Sequence, residues 1–185
     1  MMRELADNIL DIAQNAVAAK ATLLEIDLSL STAQDRIALA FRDNGCGMSP
    51  QMVSTVADPF TTTRKTRKVG LGLPFLKQTA LMTGGAFDIQ SKVGEGTRVS
   101  VSFGLSHIDR PPLGDVAAAL YTLVLLNPAM DFVFDCRCDA RSFVFDTRVI
   151  RKTIAPLEID CPEVSDWIRA DLNEEIQLLL GGNIA

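Results

Sequence analysis

Residues 23–30 and 36–43 alternate apolar and polar side chains with the period of a β-strand, and a polar stretch holding Ser31, Thr32, Gln34 and Asp35 separates them. Leu24, Ile26, Leu28 and Leu30 in the first run, and Ile37, Leu39 and Phe41 in the second, define one apolar face each. Two such runs around a turn predict an antiparallel hairpin with one buried face. The hairpin delivers Asp43 to a strand end, where the chain continues Asp43-Asn44-Gly45-Cys46-Gly47-Met48. A carboxylate between a strand end and two glycines can accept from an exocyclic amine, while the glycines let backbone pass close to a flat ring or a phosphate. Alone, an aspartate with alternating glycines is turn chemistry, so its meaning depends on what surrounds it.

Ahead of the hairpin, residues 2–19 read as an amphipathic helix with Leu5, Ile9, Ile12, Ala13, Ala16 and Val17 toward a core. Beside that stripe Asn8, Asp11 and Asn15 recur at spacings of three and four, so they line one edge of the helix. A wetted helix face would look the same. An amide and a carboxylate one turn apart are also what Mg²⁺ with a polyphosphate requires, because that hard ion takes oxygen ligands. After the loop, Ser49-Pro50 is a helix start leading into residues 51–57. Residues 58–68 lack apolar periodicity and concentrate Arg64, Lys65, Arg67 and Lys68 behind Thr61, Thr62 and Thr63, which suits either a solvated loop or a cover closing over an anion. Gly70-Leu71-Gly72-Leu73-Pro74 then opens a second amphipathic helix, with Leu73, Leu76, Ala80 and Met82 inward, that stops at Gly84-Gly85. Glycines at a helix N-terminus offer phosphate free N–H groups and the positive end of the dipole. Residues 86–93 and 98–105 alternate as two strands about Gly94-Glu95-Gly96-Thr97, and the Thr97 hydroxyl can face the same ligand.

Taken in order, a helix with Asp11 and Asn15, a DNGCGM loop, FTTTRK with a basic loop, GLGL, and GEGT before a strand resemble the GHKL superfamily of ATPases and kinases. That superfamily groups gyrase, heat-shock chaperones, histidine kinases and the mismatch-repair protein MutL, and the likeness spans about the first 105 residues. It implies ATP and Mg²⁺ as cofactors and an α/β (α+β) fold of Bergerat type: a two-layer sandwich whose mixed, mainly antiparallel sheet carries its helices on one face. Position by position, it implies that Asn15 ligates Mg²⁺ and that Asp43 recognises the adenine amino group. Gly45, Gly47 and Met48 would lie beside the nucleotide, with Thr61, Thr62 and Lys65 in an ATP lid. Gly70, Leu71, Gly72 and Leu73 would meet phosphate, and Thr97 would lie near the adenine.

Hydrolysing relatives carry a glutamate four residues before the magnesium asparagine. Here that position is Asp11, which offers the same group one methylene shorter and is the candidate catalytic base. The residues around Asn15 look more like MutL, whereas the compact lid and GLGL look more like histidine kinases. The only histidine, His107, follows the last strand of the nucleotide domain without the acidic context of a phosphoacceptor. An acceptor is therefore expected on a partner protein, as in the anti-sigma serine kinases that this small form also resembles. The alternative is an ATP-gated interaction switch with weak or no hydrolysis.

Composition bounds the rest. A formal net charge of −5 over 185 residues argues against nucleic acid as main partner, and the longest apolar run, residues 116–126, is too short to span a bilayer. With no signal-peptide pattern the expectation is a cytoplasmic protein with reduced thiols; the sequence leaves a homodimer open. Cys136 and Cys138 share a strand face with Phe132 and Phe134, so burial accounts for them, and a metal or redox role for these and Cys161 is the alternative. Pro111-Pro112 divides the chain into a nucleotide domain, residues 1–106, and a small α-β-β-α unit, residues 113–185, of regulatory or partner-binding character. In that unit residues 116–126 read as a helix, 131–138 and 141–150 as a hairpin, and the segment from Pro162 as a helix with Val164, Trp167, Ile168, Leu172, Ile176 and Leu179 on one core face.

Overall fold

The computed structural model describes residues 4–56 and 72–181. Helix α1 (Leu5–Ala18) leads into the hairpin β1 (Leu23–Ser31) and β2 (Arg36–Asp43), then α2 (Pro50–Val56), α3 (Gly72–Met82), β3 (Ala86–Lys92) and β4 (Gly96–Gly104). The chain continues through α4 (Val116–Leu126), β5 (Asp131–Cys138), β6 (Arg141–Asp146), α5 (Thr147–Ile154) and α6 (Pro162–Leu180). The strands form one six-stranded sheet in the order β3-β4-β2-β1-β5-β6. All pairings are antiparallel except β1 with β5, which run parallel. This is the mixed, mainly antiparallel sheet expected for the nucleotide fold, with its apolar side under the helices.

The core is built in cross-strand rows, because successive side chains on a strand alternate faces and register then aligns them across the sheet. One row runs Ile89, Val99, Phe41, Ile26, Phe134, Phe145 from β3 to β6, and the next runs Phe87, Val101, Leu39, Leu28, Cys136, Phe143. Helices α1, α4 and α6 contribute Leu5, Ile9, Leu120, Ile168 and Leu172 to the same buried cluster. The opposite face carries Glu25, Asp27, Arg42, Arg98 and Arg137 and stays polar. Leu5 and Ala6 at the start of α1 donate their backbone N–H groups to the carbonyls of Pro112 and Leu113, so the segment after β4 satisfies donors that a helix start leaves open.

Residues 113–185 thus add two strands to the sheet rather than only packing beside it. Parallel pairing between β1 and β5 leaves no local pattern in sequence, because the partners lie over 100 residues apart. The hairpin also ends earlier than its sequence pattern suggests. The expected strand 141–150 stops at Asp146, whose side chain accepts from the Arg148 N–H at 2.9 Å and caps α5. Buried Thr147 and Ile150 stand three apart, the helical spacing that Val149 obscures. Three expected core residues are also exposed: Trp167 is 50% accessible, Met82 64% and Val17 38%. Trp167 precedes Ile168 on α6 and is turned off the Val164, Ile168, Leu172 stripe, while Met82 and Val17 lie in the last turns of their helices. Cys136 and Cys138 are buried as read, and burial pushes the Cys136 thiol up to about 12, so it is an uncharged packing group at neutral pH.

Phe134 is fully buried at the centre of β5. Phe134→Ala should cost about 3–5 kcal/mol of stability. Because its row crosses from β3 to β6, calorimetry should show one shifted transition; two transitions with only one displaced would show that the halves unfold independently.

Candidate functional site

At one end of the sheet the apolar rows give way. The row beyond Ile89, Val99 and Phe41 reads Ser91, Thr97, Asp43 on β3, β4 and β2, and becomes apolar again at Leu24 and Phe132 on β1 and β5. Three polar side chains therefore stand side by side on the helix-facing side, where a ligand can replace the missing core. Asp43 is half-buried. Its Oδ1 accepts from the Gly45 N–H at 2.8 Å, and the Thr97 N–H also donates to the carboxylate. Burial raises its pKa, and these two donors pull back against that rise.

Ser91 is the junction of the row. Its Oγ accepts from the Met48 N–H at 2.8 Å, donates to the Gly96 carbonyl at 2.9 Å and lies 2.9 Å from Thr97 Oγ1. The DNGCGM loop is fastened on two further sides. On one, Cys46 N–H donates to Ala19 O and Gly94 N–H to Cys46 O, both at 2.9 Å, clamping the loop between the end of α1 and the β3–β4 turn. On the other, Asn44 Oδ1 accepts from the N–H groups of Thr22 and Leu23 at 2.8 and 3.0 Å, and its Nδ2 donates to Thr22 Oγ1 at 2.9 Å. Glycine is required where these segments touch. At Gly47 (φ +63°) a Cβ would meet Lys92 O at 2.0 Å, and at Gly96 (φ +102°) it would meet Asp43 O at 2.0 Å.

The residues singled out in sequence fall into three groups. Asp43, Gly45, Gly47, Met48 and Thr97 belong to this one network. Asn15 is exposed on α1, one turn before Ala19, on which buried Gly45 rests, and Asp11 lies a turn further back, half-buried with its pKa raised by burial alone. Gly72 and Leu73 are buried in the first turn of α3. The far end of α3 is tied down where Gly104 N–H donates to Thr83 O, at the end of β4 opposite Thr97, so the helix runs back along β3 and β4. Thr61, Thr62, Lys65, Gly70 and Leu71 lie outside the described residues. Asn8 leaves the polar edge: it is buried and its Nδ2 donates to Glu4 O at 3.0 Å. Sequence reasoning missed Ser91 and Asn44. Pairing across the Gly94 turn could have set Ser91 opposite Thr97; nothing local announces the bond from Asn44 to Thr22.

This arrangement fits the expected cofactors. A row of lone pairs suits an amine-bearing flat ring, the close-packed glycines leave room for backbone approach, and oxygen donors on α1 suit magnesium held jointly with phosphate. Residues 1–107, more than half of the chain, match the family described as histidine kinase-, DNA gyrase B- and HSP90-like ATPases. The chain belongs to that family. Among curated proteins it is similar to sporulation kinase D of Bacillus subtilis, 33% identical over 98 residues that make up 53% of this chain and 19% of that one. It is also similar to the sensor histidine kinase YxdK of the same organism, 33% identical over 99 residues, 50% of this chain and 30% of the other. The chain thus spans less than a third of either kinase. Among solved structures the Aquifex aeolicus MutL ATPase domain complexed with ADP superposes with a TM-score of 0.54 at 16% identity, covering 92% of this chain and 70% of that one. A likeness of that breadth reaches well past residue 107, so β5, β6 and their helices share in the fold. No helix among the described residues is long and apolar enough to cross a membrane.

Two variants probe the site's construction. Gly94→Ala, at φ +81° with nothing within 4 Å of its Cβ, should cost only the left-handed strain of about 1–2 kcal/mol, whereas Gly96→Ala must also displace Asp43 and should cost clearly more in urea unfolding. Equal losses would show that strain alone governs this turn. For Asp11, burial raises the folded-state pKa, so the native protein holds that proton to higher pH than the unfolded chain does. The charged carboxylate then costs stability above its native pKa, and the cost fades as pH falls through it. Asp11→Asn should melt higher than the parent at neutral pH and converge with it in acid; a variant that melts lower at neutral pH would show that the charge stabilises the fold.

Proposed function

We propose that this chain binds Mg-ATP over the Ser91, Thr97, Asp43 row and passes the γ-phosphoryl group to a partner protein. The observation that carries the reading is that row: three polar groups where the sheet otherwise continues its core, held by a loop fastened on three sides. In it Asp43 accepts from the adenine amine, and Asn15 holds Mg²⁺ together with phosphate oxygens. On this reading Thr61, Thr62 and Lys65 would supply a lid over the phosphates, and Gly70, Leu71, Gly72 and Leu73 would meet them. Asp11 takes the proton of the attacking group as its bond to phosphorus forms and the bond to the ADP oxygen breaks. The kinase names of the similar proteins support transfer to a protein acceptor rather than to water alone.

A second reading, an ATP-gated interaction switch, is favoured by one observation. The Asn44 clasp holds Thr22, and Thr22 O accepts from the Asp131 N–H at 2.9 Å at the start of β5, so the loop is bonded through one residue to the C-terminal strands. Incubation with γ-labelled ATP and a native extract separates the two. Label on a protein, lost with Asp43→Asn, is expected for the kinase; free phosphate only, or no turnover beside measurable ATP binding, supports the switch. Asp43→Asn should lower ATP affinity by about ten- to a hundredfold in calorimetry, the scale of a buried hydrogen bond to a charged group; undiminished binding would remove the adenine assignment.

A further inference from the structure

At the sheet end Ser91, which the proposed chemistry does not use, fixes where a neighbouring hydroxyl proton goes. Ser91 Oγ has one proton and two lone pairs. The Met48 N–H can only donate, so it occupies one lone pair, and the Gly96 carbonyl can only accept, so it takes the proton. The remaining contact, 2.9 Å to Thr97 Oγ1, is then satisfied in one way: Thr97 donates to Ser91. Thr97 has no second proton. Its oxygen therefore turns lone pairs alone toward the space beside Asp43, whose carboxylate also presents lone pairs.

We propose that Ser91 is a specificity-determining positioning residue: by committing the Thr97 proton inward, it makes the base-facing edge of the pocket accept and never donate. Where the amine-bearing position of the ring meets it, such an edge favours an exocyclic amine and opposes a carbonyl, because lone pairs would then face lone pairs. Without Ser91 the Thr97 hydroxyl can rotate and donate, and the pocket loses its reason to refuse the carbonyl. Ser91 touches no ligand in this scheme; it acts through Thr97. Its bond to Met48 is a separate, structural duty that affects all nucleotides alike.

This inference rests on the ATP reading above, and the test keeps the two apart. Calorimetry on the full chain compares ATP with inosine triphosphate, in which a carbonyl replaces the amine and N1 gains a proton, for the parent, Ser91→Ala, Thr97→Val and the double variant. The parent should prefer ATP, and Ser91→Ala should shrink the ratio of the two affinities by about tenfold or more, the scale of one misplaced buried hydrogen bond, beyond any loss common to both nucleotides. In the Thr97→Val background the same replacement should leave the ratio unchanged. An unaltered ratio in Ser91→Ala, or an equal change with and without the Thr97 hydroxyl, would overturn the proposal while leaving ATP binding intact. A parent that binds neither nucleotide would overturn both. Should Ser91→Ala not fold, as judged by its melting curve, Thr97→Val alone decides: its ratio must fall below that of the parent, and a ratio equal to the parent's refutes the role.

Discussion

The pocket depends on one register. Asp43 stands opposite Thr97, and Thr97 opposite Ser91, only while β2, β4 and β3 keep their alignment. A slip of one residue would bring Arg42 to the helix-facing side and send Phe41 to solvent, since side chains alternate faces along a strand. What prevents the slip is the pair of apolar rows behind the site, from Ile89 through Phe41 to Phe145 and from Phe87 through Leu39 to Phe143. Each fully buried side chain there contributes about 1.5–3 kcal/mol relative to exposure. Burial has the opposite sign at the row's end, where desolvation works against the charged form of Asp43 and raises its pKa. The core thus supplies the stability against which the site is maintained.

Most of what fixes this geometry was legible in sequence, because it lies in local periodicity. The β1–β2 alternation placed Asp43 at a strand end, and the stripe of Leu5, Ile9, Ile12 and Ala13 set the buried side of α1. What escaped shares a physical character. The parallel β1–β5 pairing joins Leu24 to Phe132, and a backbone ladder between such distant segments has no compositional signature. Helix α5 was hidden because Val149 and Ile150 favour strands by shape, while the decisive cap is a single side chain, Asp146. Trp167 was misplaced because its spacing of three from Val164 fits a helical face, although at the edge of that face it is turned off the buried Val164, Ile168, Leu172 stripe. At the site, Asp43, Gly47 and Thr97 announce themselves by residue type, but Ser91 and Asn44 act only through hydrogen bonds to segments folded against them.

Fastening of the DNGCGM loop bears on how the site can work. Backbone bonds to Ala19, Gly94 and Ser91 and the Asn44 side-chain bond to Thr22 hold it at four points, between the α1–β1 connection and the end of β3. A base meeting Asp43 would find its acceptors already oriented, so little of the binding free energy goes into ordering this side of the pocket.

The same fastening gives the C-terminal strands a direct mechanical relation to the site. Thr22 bonds at once to Asn44 and to Asp131, and Asp131 Oδ1 accepts from Arg151 Nε at 3.0 Å and from Thr147 Oγ1 at 3.1 Å, on α5. Loop, strand start and helix are thus consecutive links, all within hydrogen-bond length. Removing β5 would leave Thr22 O without its partner and turn β1, now flanked on both sides, into a sheet edge with Leu24, Ile26 and Leu28 uncovered at their β5 side. The segment after residue 107 therefore completes the strand on which the Asn44 end of the DNGCGM loop is anchored, which is a structural reason for it to travel with this ATPase fold.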